Sequence, residues 1–316
     1  MSKNHIAVIV PVYNSLKTLS ELISTLEVTL EKITDCYQII LIDDCGPQPV
    51  WPVIAEHASR NSRVVGLRLS RNFGQHAAIT TGLRFTKSDW YVVMDCDLQD
   101  RPEDIATLYH AAIEGGHDSV LAVRGEEEVS GRKKLGSRLF NFTLNKLADI
   151  PVSTDVGNFR IFNNKMAEAY HLYDEQMRLF PALMSHLGFD VGRVEISRPA
   201  RAEGQSGYSF AKLFELGFDS IVSNTIKPVY FMATFGFLVS AAAIIYTFVL
   251  IIKKLAFGIS AEGWASTMAA ILMLGGIQIF AISFVGVYVG KVFFEVKNRP
   301  IAIIRETTEV DTEQTK

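Results

Sequence analysis

The chain has 316 residues, 48% hydrophobic and 21% charged, with a formal net charge of −3 at pH 7. That length suits one sizeable α/β domain plus a more apolar part, and the charge excludes general nucleic-acid binding, which calls for a marked basic excess. The three cysteines, Cys36, Cys45 and Cys96, are odd in number and lack metal-site spacing, which fits reduced thiols in a cytosolic domain.

Taken in chain order, Met1 to Tyr13 reads as a short strand entering a turn rather than a secretory signal. The following segments are therefore expected to stay where they are made. Ile6 to Val12, Gln38 to Ile42, Val64 to Leu69, Trp90 to Met94 and Ser119 to Val123 are nearly continuous in Val, Ile and Leu, as parallel strands covered on both faces are. Between them Leu16 to Lys32, Val50 to Arg60, Gln75 to Thr86 and Pro102 to Glu114 have helical length and period. The pattern predicts a doubly wound, mostly parallel Rossmann-like α/β sheet, whose ligands bind beyond the carboxyl ends of the strands. After Val123 the pattern loosens into a charged stretch, Gly125 to Lys134, and an amphipathic segment, Leu135 to Ala148, which together suit a loop over an active site.

Between Ser209 and Lys227, Phe210, Leu213, Phe214, Phe218, Ile221 and Val222 recur at helical spacing against Lys212, Glu215 and Asp219. This predicts a helix lying in a membrane interface; a helix packed on the domain's own core is the alternative. From Val229 to Ile252 and from Thr267 to Gly290 there is no Asp, Glu, Lys, Arg or His, so each stretch is predicted to cross a bilayer. Lys212, Lys227, Lys291, Lys297, Arg299 and Arg305 stand outside the two spans, against Lys253 and Lys254 with Glu262 between them. The positive-inside rule places both ends in the cytoplasm, hence a multi-pass protein of the inner (cytoplasmic) membrane. The predicted division is a catalytic domain over 1–208, an interfacial helix over 209–228, spans over 229–252 and 267–290 joined by a loop over 253–266, and a cytoplasmic tail over 291–316. Glu306 to Lys316 is polar and predicted to be disordered. Gly286 and Gly290 form a small-xxx-small pair, for which chance is the better reading; the oligomeric state stays open, a homo-oligomer included.

Chemistry concentrates at strand ends. Asp95 and Asp97 flank Cys96 after the strand Trp90 to Met94, and two such carboxylates can share a hard divalent cation that draws its remaining ligands from a diphosphate. A solvated acidic turn is the plainer reading of that pattern alone. Asp43 and Asp44 end another strand, where a carboxylate can accept from a base N–H or a ribose hydroxyl, or cap the next helix. The seven histidines show no metal-ligand spacing, and only His76 falls inside a motif.

Pro11-Val12-Tyr13-Asn14, Asp43-Asp44, Ser70-Arg71-Asn72-Phe73-Gly74-Gln75 and Asp95-Cys96-Asp97-Leu98-Gln99, in this order and followed by two apolar spans, resemble family 2 glycosyltransferases of the polyprenyl-phosphate type, among them dolichyl-phosphate mannose synthases and bacterial undecaprenyl-phosphate sugar transferases. The resemblance runs from Ile6 to about Ile304. It implies a GT-A fold and inverting transfer of one sugar from a nucleotide sugar, a UDP-sugar favoured, to undecaprenyl phosphate, for cell-envelope glycan such as lipopolysaccharide O-antigen. By it, Pro11, Tyr13, Asp44 and Arg71 serve the nucleotide, Asp95 and Asp97 the donor diphosphate and Mg2+ or Mn2+ with Asp97 as main ligand, and Gln99 the sugar or acceptor phosphate. Arg124, Arg160 and Arg201 match basic positions of the family, and a guanidinium fork suits phosphate; a surface ion pair is the commoner fate of a lone arginine. The phosphate role is preferred for Arg124 and Arg201, with Arg201 also catalytic, while for Arg160 the readings stand level. Arg132, with Lys133 and Lys134, meets a lipid phosphate or anionic headgroups, or is a solvated loop.

Three departures from the family bear on mechanism. Asn158 stands where many relatives carry an acid, so a general base there is doubtful; Asp155, nearby and ionisable, stays a catalytic candidate. A phosphate monoester with its second pKa about 6 is largely dianionic at neutral pH, so a strong base is not required. Gly207 replaces a frequent lysine, and Ser15 an acidic residue. Two rivals remain: a processive polysaccharide synthase, which would carry Gln-x-x-Arg-Trp and more spans, and a catalytically silent membrane scaffold, which predicts degraded motifs.

Overall fold

A computed structural model describes residues 4–124, 156–175, 179–196, 227–257 and 263–308. They fall into two compact units, an α/β unit and a unit of long helices.

In the α/β unit, β1 (Ile6–Val12), β2 (Tyr37–Asp43), β3 (Val64–Leu69) and β4 (Trp90–Val93) form within a residue of the predicted strands. Every residue of β1 is buried, as its unbroken apolar run requires. The sheet has eight strands in the order β7-β5-β6-β4-β1-β2-β3-β8, where β5 is Ser119–Arg124, β6 Val156–Asn163, β7 Val191–Ile196 and β8 Ile304–Thr307. β4, β1, β2 and β3 run parallel.

Alternate strand residues point to opposite faces, and helices cover both. On one face α1 (Leu16–Ile33), α2 (Trp51–Arg60) and α4 (Asp104–Gly115) set Leu22, Leu26, Ile54 and Ile105 against Val8, Val10, Ile39 and Leu41. The buried Leu19, Leu22, Ile23, Leu26 and Leu30 of α1 recur at the spacing that makes one helix face apolar. On the other face α3 (Gln75–Phe85), α5 (Asn164–His171) and α6 (Phe180–His186) bury Ile79, Leu83, Tyr170 and Phe180 against Ile9, Ile40, Ile42 and Phe162. Each fully buried aliphatic or aromatic side chain contributes about 1.5–3 kcal/mol, so the two layers dominate stability. α3 approaches closely because Gly82 has no side chain: a Cβ there would stand 2.7 Å from Ile9 Cγ2 and 2.8 Å from Ile42 Cδ1.

Two sequence expectations are corrected. The segment Ser119 to Val123 is not one more strand of a parallel row: β6 inserts between β4 and β5 and is antiparallel to both, while β5 is parallel only to β7. The loosened pattern after Val123 hid β6, whose alternating Phe159, Ile161 and Asn158, Arg160 split between two environments. Glu306 and Thr307, expected to be disordered, belong to β8, which pairs antiparallel with β3. Polar residues suit an edge strand, and Arg68 holds it through Glu306 at 3.0 Å.

In the second unit, α7 (Lys227–Phe257) and α8 (Trp264–Val296) contain the two predicted spans, and both are long and apolar enough to cross a membrane. Phe231, Phe237 and Ile279 are about 70% exposed, and such a continuous apolar surface calls for a non-aqueous surrounding. At about 1.5 Å rise per residue α8 is roughly 50 Å long, more than a bilayer core of about 30 Å. Of the predicted interfacial helix only Lys227 and Pro228 are described, as the start of α7.

Candidate active site

The chain leaves β1 to build β2 and β3 on one side, then returns to place β4 on the other. That reversal opens a crevice between the carboxyl ends of β1 and β4. A cavity of about 450 Å3 lies there, lined by Pro11, Tyr13 and Ser15 after β1, Asp44 after β2, Gly74 and Gln75 at the start of α3, and Asp95, Cys96 and Asp97 after β4. The chain turns sharply at each of the three strand ends: Asn14, Cys45 and Leu98 have φ of 56°, 50° and 60°. Left-handed backbone at non-glycine residues costs roughly 1–2 kcal/mol each and persists only where surrounding bonds enforce it.

Those bonds are plain at β4. The Asp95 N–H donates to Asp100 Oδ2 at 3.1 Å, and the Gln99 N–H donates to Asp97 Oδ1 at 3.0 Å. From α1 the Thr18 hydroxyl donates to the Cys96 carbonyl at 3.0 Å, and Ser15 Oγ lies 2.9 Å from Cys96 Sγ. Burial pushes the Cys96 thiol above its usual pKa, so it stays a neutral packing group while its two acidic neighbours face the cavity. Asp95 Oδ1 accepts from Gln75 Nε2 at 2.6 Å and from Asn158 Nδ2 at 3.3 Å.

Asp44 is 2% exposed, and its two oxygens accept the Phe73 and Gly74 N–H groups at 2.8 and 2.9 Å. Desolvation raises its pKa against the pull of those amides. It lines the cavity, and its direct work is to hold the loop before α3 against the end of β2. Neither Asp43 nor Asp44 caps α2, whose N-cap is Val50. Asp43 Oδ1 accepts the Cys45 N–H at 3.0 Å, and Arg68 Nε lies 3.5 Å from its Oδ2.

The remaining predicted residues are not all brought to the cavity. Tyr13 is half exposed over it and Pro11 is buried beneath. Arg71 turns its guanidinium over the Phe73 ring at 4.1 Å and donates to the Asn72 carbonyl. Gln99 closes the β4 turn through its backbone, and Arg124 ends β5 opposite Ile196. Asp155, Arg132 and Arg201 lie outside the described residues, as do Lys133, Lys134 and Gly207. Arg160 forms no ion pair among the described residues: it is buried, stacks over Phe180 at 5.2 Å and reaches only the Gly157 carbonyl at 3.3 Å. Burial lowers its pKa to about 10. His76, inside the motif, is also lowered by burial, and its Nδ1 meets no partner among the described residues.

Sequence reasoning missed Asp100, which is 1% exposed and anchors the turn, and it gave Gln75 no task. An acid one residue past the quoted Asp-x-Asp-Leu-Gln run was the available signal for Asp100. Ser15, which stands where the family has an acidic residue, helps fasten the acidic turn.

Residues 7–170 match the family model described as glycosyl transferase family 2. The chain belongs to that family. This family 2 glycosyltransferase is 31% identical to the glycosyltransferase CsbB of Bacillus subtilis, over 97% of this chain and 93% of that one. It is 28% identical to the undecaprenyl-phosphate 4-deoxy-4-formamido-L-arabinose transferase of Aeromonas hydrophila, over 95% of this chain and 93% of the relative. Among solved structures, a mannosyltransferase of Pyrobaculum calidifontis in complex with GDP-Man and Mn2+ aligns with a TM-score of 0.46 at 15% identity, over 94% of this chain and 88% of that one. The chain is a glycosyltransferase with the GT-A sheet of its family and two helices fit to span a membrane.

Among the described residues no group of three or more His, Cys, Asp and Glu could enclose a metal ion. The donor set suits a hard divalent cation all the same. Asp95 and Asp97 offer carboxylate oxygens at the cavity while the intervening thiol is turned to Ser15, and such ions are commonly held by one or two carboxylates plus substrate phosphates and water.

Proposed function

We propose that this glycosyltransferase transfers a single sugar, with inversion, from a nucleotide sugar to undecaprenyl phosphate at the cytoplasmic face of the membrane. The observation that carries the reading is the placing of Asp95 and Asp97 at the mouth of a 450 Å3 cavity in a chain that also bears two helices fit to span a bilayer. A cavity of that size accommodates a nucleoside, and the exposed Tyr13 ring offers a stacking face for a base. Asp44 keeps the Asn72–Gly74 backbone in place as part of the wall. UDP is favoured as the nucleotide.

Mg2+ or Mn2+, held by Asp97 with Asp95, would supply positive charge beside the diphosphate that leaves. The chain's own groups orient the reactants. The Ser15, Thr18 and Asp100 bonds keep the acidic turn rigid, so no reorganisation is needed as charge develops. A lipid phosphate oxygen attacks the anomeric carbon from the face opposite the leaving diphosphate, with Gln99, Arg124, Arg132 and Arg201 as candidates to meet the phosphates and Asp155 the one acid proposed nearby. The product is a lipid-linked sugar for cell-envelope glycan.

Purified full-length protein, undecaprenyl phosphate and a panel of UDP- and GDP-sugars, with the glycolipid identified by mass, test the proposal. A product from one donor that disappears with EDTA and with Asp97→Ala is expected. Nucleotide binding by calorimetry without product from any donor would instead mark a silent scaffold.

A further inference from the structure

The register of the sheet makes a contact that motif order does not show. β4 and β6 pair as Trp90 with Asn163 through Val93 with Arg160. Carried two residues past the end of β4, that register sets Asn158 opposite Asp95. From the other side α3 begins at Gln75, immediately after Gly74, whose φ of 94° turns the chain into the helix. One carboxylate oxygen, Asp95 Oδ1, thus receives a primary amide from each flank, Gln75 Nε2 at 2.6 Å and Asn158 Nδ2 at 3.3 Å. A carboxylate only accepts, so both amides must present their N–H groups to it.

The choice of side chain has consequences for charge. An arginine or lysine in either place would orient Asp95 equally well and repel a cation bound to it. An acid at 158 would face Asp95 oxygen to oxygen, at a separation where like charges disfavour each other. A neutral amide orients the carboxylate without bringing a positive charge of its own to the site. Arg160, two residues along β6, adds to the arrangement by donating to the Gly157 carbonyl at 3.3 Å beside Asn158.

We infer that Gln75 and Asn158 are positioning residues for the divalent-cation site: they act through Asp95, fixing its orientation so that metal and donor diphosphate meet a preset ligand. The inference rests on the proposed role of Asp95 and Asp97 as metal ligands. Outer groups of this kind typically govern metal affinity by about 10–100-fold.

The test titrates Mn2+ into the purified full chain in detergent, with UDP and in a parallel series with GDP, following free Mn2+ by electron paramagnetic resonance. Gln75→Met keeps the length of an exposed side chain and removes the N–H donor; Asn158→Ala removes the other. Each is expected to weaken Mn2+ binding by about ten-fold and to weaken metal-free nucleotide binding by much less, a split that a general loosening of the pocket would not give. Unchanged Mn2+ affinity in Gln75→Met, or an equal loss of metal-free nucleotide binding, overturns the inference even if Asn158→Ala folds poorly. Asp97→Ala separates the two levels. If it binds Mn2+ like the parent chain, the metal reading falls and this inference with it; if it alone loses Mn2+, only the role of the two amides is refuted.

Discussion

Replacing Arg160 by methionine should make the protein more stable, although it removes a charged residue from the heart of a family motif. The guanidinium is 5% exposed, has no carboxylate within ion-pair distance among the described residues, and its Nε finds no acceptor. Burial lowers its pKa well below the usual guanidinium range, to about 10, which corresponds to roughly 3 kcal/mol at about 1.4 kcal/mol per pH unit. Below pH 10 the group is charged in both folded and unfolded chains, so this penalty is fully present at neutral pH. It fades as pH rises through about 10, where the folded chain releases its proton before the unfolded chain does. Against it stand the stacking on Phe180 and the long bond to Gly157, each worth about 1 kcal/mol. Methionine fills similar space without charge, so the net gain is about 1 kcal/mol, a rise in Tm of roughly 2–4 °C for a unit of this size. Differential scanning fluorimetry in detergent measures it, with product formation assayed on the same sample. A fall in Tm beyond about 3 °C would refute the reasoning, because it would mean that the guanidinium is well paired when folded. A rise in Tm accompanied by lost turnover would show that the unpaired charge is kept for a phosphate.

Other expectations follow from the packing. Gly82→Val forces a branched side chain into Ile9 and Ile42 and should cost about 1–3 kcal/mol, read as a lower Tm with nucleotide affinity largely kept in the folded fraction. Asp44→Asn leaves an NH2 group facing one of the two loop amides, so nucleotide affinity should fall and Tm should drop by the equivalent of about 1–3 kcal/mol; an unchanged affinity by calorimetry would show that the loop does not need this anchor. Truncation after Pro300 removes β8 with its bonds Ser70 N–H to Ile303 O and Thr308 N–H to Gly66 O, and bares the edge of β3. Lower Tm and faster aggregation by light scattering are expected, whereas Glu306→Ala alone should cost no more than about 1 kcal/mol because its ion pair is partly exposed.

Much of this architecture was legible in the chain itself. The runs Ile6–Val12 and Val64–Leu69 are strands with the bounds their apolar residues predict, and α1 follows the spacing of Leu19, Leu22, Ile23 and Leu26. The acidic turn at Asp95 and Asp97 and the apolar stretches of α7 and α8 were equally visible, because short-range pattern determines them. For two strands beyond Val123 the signal failed. β6 alternates buried apolar residues with Asn158 and Arg160, and β8 is a polar edge strand of four residues, so neither carries the continuous hydrophobic run that marks a central strand.

What the sequence determined by itself was the class of protein: an α/β chain with the motifs of family 2 glycosyltransferases at its strand ends and two stretches fit for lipid, since periodicity and motif order are local properties of a chain. What only the tertiary structure decided was partnership. Asn158 looked like a missing acid and proved to be a hydrogen-bond donor to Asp95. Asp44, expected at a nucleoside, lines the cavity and also holds the Phe73–Gly74 backbone. Arg160 looked free to bind phosphate or an acid at the surface and proved to be buried over an aromatic ring. In each case the side chain's chemistry was known in advance, and its partner was set by strand register and sheet order, which bring together residues far apart along the chain.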